Sequence, residues 1–155
     1  MIYILYAALF VIADRLTKHL AVRYLMPIGS AKVLDGIFNL TYVENSGVAF
    51  GMLQNMHYII VPVNIAIVSL CIWLMLKAHK NNRKLFAFSL NLIIAGATGN
   101  IIDKILYGYV VDFLELAFID FPVFNLADVF VCTGAVLAAL IILFTKDGDL
   151  FDSKK

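Results

Sequence analysis

Four apolar stretches, each close to the length of a bilayer-spanning helix, constrain this chain more than any other feature. Crossing the hydrocarbon core as a helix takes about 20 predominantly apolar residues. The stretches run from about Ile2 to Leu25, from about His57 to Leu76, from about Leu85 to Leu106, and from near Asn125 to near Thr145. The chain is 63% hydrophobic and 15% charged, whereas a soluble domain carries about 25% charged residues. The sequence therefore predicts an all-α membrane protein with four transmembrane helices. Without repeats or low-complexity linkers, residues 1–155 read as one domain. Met1-Ile2-Tyr3-Ile4 lacks a basic leader and no small-residue cleavage site follows, so the first stretch is expected to be a retained helix rather than a secretory signal.

Charge orients the expected spans. The second connector holds Lys77, Lys80, Arg83 and Lys84 without an acid, and the tail adds Lys146, Lys154 and Lys155. The other connectors are mixed or acidic, with Lys32, Asp35 and Glu44 in one and Glu115 and Asp120 in the other. By the positive-inside rule both termini face the cytoplasm. Between Met26 and Gln54, the β-branched and aromatic run from Val33 to Val43, broken at Gly36, predicts a small extracytoplasmic sheet. Between Tyr107 and Phe124, the residues Phe113, Leu114, Leu116, Ala117 and Phe118 surround Glu115 and suggest a short interfacial helix or flap.

Two aspartates then stand out, each in apolar sequence at the outer border of a span: Asp112 in Val110-Val111-Asp112-Phe113, and Asp128 in Phe124-Asn125-Leu126-Ala127-Asp128. An ionisable group there is costly and marks a functional site by default. Two carboxylates in a low-dielectric site cannot both ionise cheaply, so one retains a proton. The ionised one then takes a proton from water while the other hydrogen-bonds a substrate carbonyl. Asn125 is a favourable N-cap, which puts Asp128 in the first turn, where the helix dipole favours a carboxylate. That points to Asp128 as base and Asp112 as acid.

Other polar residues cluster by spacing. Asn100, Asp103 and Lys104 project from one face of the third helix, beside a small-residue face of Ala95, Gly96 and Gly99. The bland alternative is a patch that glues helices, with an Asp103–Lys104 pair. Asp14 and Lys18 are spaced to neutralise each other, with Arg15 nearby. In Asn45-Ser46-Gly47-Val48-Ala49-Phe50-Gly51, Asn45 offers hydrogen bonds to an extended peptide and Gly47 allows close backbone approach, or the segment is a plain turn. Cys71 and Cys132 read as apolar fillers, and His19, His57 and His79 are too scattered for a metal centre. No metal, cofactor or nucleic-acid partner is expected.

These motifs in order resemble the lipoprotein signal peptidase (signal peptidase II) family over essentially the whole chain: Asp14 to Lys18, Asn45 to Phe50, Gly99 to Asp103, Val110 to Phe113, and Phe124 to Asp128. The resemblance implies an aspartic endopeptidase of the bacterial cytoplasmic membrane. It would remove the signal peptide from a diacylglyceryl-modified prolipoprotein just before the lipidated cysteine. Asp112 and Asp128 match the catalytic pair, Asn45, Asn100 and Asn125 match polar residues lining the site, and Asp14 and Asp103 match supporting acids. Membrane lipids and globomycin-type cyclic peptide inhibitors are the other implied partners. This chain departs from the family at Lys104, where Arg is usual, so a planar fork of donors is replaced by a point charge. A small proton-coupled transporter using Asp14, Asp103, Asp112 and Asp128 as a relay is the competing reading, and a membrane assembly protein is a second.

Overall fold

The computed structural model describes residues 2–47 and 52–145. Two parts of the sequence reading lie outside them, Val48 to Gly51 of the asparagine motif and the tail lysines Lys146, Lys154 and Lys155. Helix α1 (Ile2–Leu20) continues into a single π-helical segment at Ala21–Leu25. Strands β1 (Ser30–Leu34) and β2 (Phe38–Asn45) follow, then helices α2 (His57–Lys80) and α3 (Lys84–Tyr107). Strand β3 (Val110–Leu116) and helix α4 (Leu126–Phe144) complete the order.

α2, α3 and α4 are long and apolar enough to cross a bilayer. α1 carries Asp14, Arg15 and Lys18, yet Asp14 and Lys18 are buried while Ile4, Leu5, Leu9, Ile12 and Leu16 are exposed. The helical bundle is thus inverted relative to a soluble domain, with aliphatic side chains outside and the polar ones inside. α3 is the central element and packs against each of the other three helices. Its small-residue face serves close approach: a Cβ on Gly96 would run into the Ala127 carbonyl and Val131 of α4. At one end of α3, Phe86, Ala87, Leu90 and Ile94 form an apolar core with Cys71, Met75 and Ala78 of α2 and Ala138 of α4.

The sheet has the order β1-β2-β3, antiparallel throughout. β1 and β2 form a hairpin around Gly36, whose φ of 70° suits the turn. Of the Phe113–Phe118 stretch, which the sequence suggests as a short interfacial helix or flap, residues 113–116 belong instead to strand β3, which is paired with β2. Its apolar run is compatible with either structure, and the free edge of β2 supplies the partner that makes it a strand. Gly108, left-handed at φ 81°, ends α3 and turns the chain into β3. Val111 and Phe113 then pack on Ala21 and Leu25 of the π-helical turn, which docks the sheet onto α1.

Candidate active site

Asp112 is fixed by its strand. The β2–β3 register sets Val43 opposite Asp112 and Asn45 opposite Val110, so Asn45 lies diagonally across from Asp112. Asn45 Nδ2 donates to Asp112 Oδ2 at 2.9 Å. Beyond β3 the chain doubles back: Phe124 N donates to Leu114 O at 3.0 Å, and Phe113 N and Leu114 N donate to Phe124 O at 2.9 and 2.8 Å. This bridge sets Asn125 beside Asp112, and Asn125 Nδ2 donates to Asp112 Oδ1 at 2.6 Å.

Asp128 is fixed by its helix. Asn125 is the N-cap of α4, and its Oδ1 accepts from Asp128 N at 2.9 Å. Asp128 Oδ2 accepts from Asn125 N at 3.2 Å, which completes a reciprocal capping box. One asparagine therefore caps the helix that carries one aspartate and hydrogen-bonds the other. Asn100 of α3 donates from Nδ2 to Asp128 Oδ1 at 2.7 Å, and its Oδ1 accepts from Asn125 Nδ2 at 3.2 Å.

A second layer lies behind this pair. Lys18 Nζ is 2.9 Å from Asp14 Oδ2, 2.8 Å from Asp103 Oδ2 and 2.7 Å from Asn100 Oδ1. Asp14 Oδ1 accepts from Ala127 N at 3.0 Å. α1 thus caps α4 from outside, satisfying one of the amides that a helix start leaves open. Gly99 makes room for this: a Cβ there would come within 2.5 Å of Asp14 Oδ2. Lys104 Nζ donates to Gly47 O at 2.5 Å, and Gly47 N donates to Asn45 Oδ1 at 3.0 Å.

Every site residue expected from the sequence, Asp14, Lys18, Asn45, Gly47, Asn100, Asp103, Lys104, Asp112, Asn125 and Asp128, falls in this one network. The partners differ from sequence spacing at one point. Asp103 does not pair with Lys104; it pairs with Lys18 and with Arg15, which also lies over the Tyr107 ring. The sequence places Arg15 near the Asp14–Lys18 pair but supplies neither its partner Asp103 nor Tyr107, because these contacts join α1 to the C-terminal end of α3. A polar row on the sheet was also missed: Glu115 Oε2 accepts from Thr41 Oγ1 at 2.5 Å and from Asn39 Nδ2 at 3.2 Å.

Asp112 is 2% exposed. Burial raises its pKa to about 6, against the hydrogen bond from Asn45, which lowers it; nearby Asp128 raises it further. A carboxyl of this kind changes protonation close to neutral pH, as acid/base chemistry requires.

Comparison with known proteins identifies the family and the fold. Residues 6–144 match the family described as signal peptidase (SPase) II. A lipoprotein signal peptidase of Caldanaerobacter subterraneus subsp. tengcongensis is 44% identical over 142 residues, covering 91% of this chain and 95% of that protein. One from Clostridioides difficile is 39% identical over 147 residues, covering 93% and 96%. Among solved structures, a bacterial membrane enzyme at 33% identity superposes with a TM-score of 0.82 over 99% of this chain and 93% of its own. A second gives 0.81 at 32% identity over 93% and 94%.

Proposed function

We propose that this chain, which belongs to the signal peptidase II family, cleaves the signal peptide from prolipoproteins with Asp112 and Asp128 as its catalytic pair. The observation that carries the assignment of the pair is Asn125. Through one side chain it caps the helix of Asp128 and donates to Asp112, so the two carboxylates are held in one buried frame. The relatives carry a peptidase name, and the reading as a proton-coupled transporter draws no support from them.

In the proposed reaction Asp128 takes a proton from the attacking water while protonated Asp112 hydrogen-bonds the scissile carbonyl. Attack gives a tetrahedral intermediate, and collapse breaks the C–N bond as the departing amine receives a proton from the pair. The chemistry needs no metal. The elevated pKa of Asp112 suits acid/base work, and the place of Asp128 in the first turn of α4, where the helix dipole favours a carboxylate, supports Asp128 as the base. The pair titrates as a unit, so its protons belong to both groups in the reaction cycle.

The substrate in this reading is a prolipoprotein whose cysteine carries diacylglycerol, cut just before that cysteine. Its acyl chains remain in the bilayer, so the scissile bond lies near the level of the outer headgroups. The positive-inside rule gives the matching orientation in the bacterial cytoplasmic membrane: the Lys77–Lys84 connector and both termini inside, the sheet and the aspartates outside. α1 is then the fourth span, its aliphatic face toward lipid and Asp14 and Lys18 toward α3, within one peptidase domain of 155 residues. The exposed Phe118, Ile119 and Phe121 beyond β3 make an apolar rim for the acyl chains, and globomycin-type cyclic peptides compete with the substrate for the aspartate pair.

The test is cleavage of a purified diacylglyceryl-modified prolipoprotein in detergent with EDTA present, by wild type, Asp112→Asn and Asp128→Asn. Cleavage by wild type alone is expected. Equal cleavage by all three proteins overturns the catalytic pair, and loss of wild-type cleavage on EDTA overturns metal independence.

A further inference from the structure

We infer that Lys18 and Lys104 are positioning residues, each fixing the asparagine that donates to one aspartate: Lys18 acts through Asn100 on Asp128, and Lys104 acts through the Asn45–Gly47 turn on Asp112. The inference rests on the reading of Asp112 and Asp128 as the catalytic pair, and it assigns work to two buried cations that the proposed reaction itself does not use.

The argument starts from the symmetry of an amide. The oxygen and nitrogen of an asparagine side chain have nearly the same shape, so an asparagine beside a carboxylate donates only if something else dictates which way it faces. Three asparagines donate to the pair, and each has its oxygen against a group that can only donate. Asn125 Oδ1 faces the Asp128 N–H, a contact within its own helix cap. Asn100 Oδ1 faces the Lys18 ammonium at 2.7 Å and, at 3.2 Å, the Asn125 Nδ2 group, which also only donates. Asn45 Oδ1 faces the Gly47 N–H at 3.0 Å. An ammonium and a backbone N–H have no lone pair to offer, so each amide is locked with Nδ2 toward its aspartate.

Asn125 needs no outside help, because α4 orients it. Asn45 depends on Lys104 through Gly47, and Asn100 depends on Lys18 together with the amide of Asn125. Lys18 is held between Asp14 and Asp103, so its third direction is aimed at Asn100. Lys104 reaches across from α3 to the Gly47 carbonyl, and so anchors the turn in which Gly47 N fixes Asn45. Side-chain volume is excluded at that turn, since a Cβ on Gly47 would strike the Met52 carbonyl. Among the described residues Lys104 forms no ion pair within 4 Å, and its one hydrogen bond is to the Gly47 carbonyl. Two routes, one from α1 and one from α3, thus end on different carboxylates.

The experiment is a set of double-mutant cycles on kcat and KM, read by cleavage of diacylglyceryl-modified prolipoprotein in detergent. One arm combines Lys104→Met with Asn45→Ala, the other Lys18→Met with Asn100→Ala. Each single change is expected to lower kcat by about 10- to 100-fold, the effect of losing one hydrogen bond to a charged group, with KM little altered. Within an arm the double variant is no slower than its slower single variant. Across arms, as in Lys104→Met with Asn100→Ala, the losses multiply. Lys104→Arg, which restores a donor at that position, recovers most of kcat.

Multiplied losses within the Lys104 arm, or an unchanged kcat in Lys104→Met, overturn the inference. Lys18→Met strands Asp14 and Asp103, so thermal unfolding in detergent identifies any loss of fold in that arm. Among the described residues Lys104→Met breaks no ion pair, and its cycle decides the question by itself. Failure of wild type to cleave overturns the proposed function instead. Cleavage by wild type, its loss in Asp112→Asn and multiplied losses within the Lys104 arm together overturn only the positioning role.

Discussion

The two halves of α3 both carry buried side chains and do different work. From Phe86 to Ile94 the helix contributes apolar side chains to a core shared with α2 and α4. From Gly99 to Lys104 it contributes Asn100, Asp103 and Lys104 to a network shared with α1, the sheet and the start of α4. Apolar packing is non-directional, so the first half holds helices together without specifying any atom's direction. Hydrogen bonds and ion pairs have directions, and the second half specifies almost every one. The cost is stability, because a buried ion pair is no better than apolar packing of the same volume and strongly destabilising once one partner is lost. The polar half is therefore where geometry is held, and the apolar half is where helices are held.

That division is broken most sharply at the pair itself. Asp112→Asn is expected to lower kcat by about 10²–10⁴-fold, the usual weight of a positioned acid or base, while the protein still unfolds cooperatively in detergent. Activity and unfolding measured on one preparation check both parts.

The next largest effect sits behind the pair. Asp14→Ala leaves Lys18 short of one partner and Ala127 N–H without its acceptor. It is expected to cost about 3–5 kcal/mol of stability, as breaking a buried pair does, together with most of the activity. Denaturant unfolding in detergent measures the first, and an unchanged midpoint would mean that the second layer does not hold α1 to α4.

In the apolar half, Leu90→Ala is expected to cost about 2 kcal/mol. In lipid the transfer contribution largely cancels and mainly the packing loss remains. Its folded fraction keeps wild-type kcat and KM; a tenfold fall in kcat would show that the two halves are coupled.

The smallest effect is a shift along the pH axis. As the acid, Asp112 must be protonated, so kcat/KM is expected to fall as pH rises through about 6. The Asn45 hydrogen bond favours the ionised form and lowers this pKa. Asn45→Ala therefore moves the fall to higher pH, which a pH–rate profile of the two proteins reads directly.

The site was legible in the sequence to the extent that its contacts are short-range. Asn125 as a cap and Asp128 in the first turn follow from residues three apart, as does the Asp14–Lys18 pair at four. Long-range partners were not legible. The bland alternative of an Asp103–Lys104 pair fails because adjacent residues on a helix diverge, and α1 packs where Arg15 and Lys18 reach Asp103. The sequence suggests a short interfacial helix or flap at Phe113–Phe118 because a short apolar run fits either structure, and only an available strand edge decides that residues 113–116 join β3.

By itself the sequence determined the apolar helices, the small sheet and the order of the motifs. Those depend on periodicity, turn residues and composition, which act over a few positions. Tertiary structure decided which amide faces which carboxylate: Asn45 across the sheet from Asp112, Asn100 between Lys18 and Asp128, Asp14 on an amide 113 positions away. An amide has two interchangeable faces and a carboxylate two equivalent oxygens. Only the donors that packing brings around them remove that ambiguity.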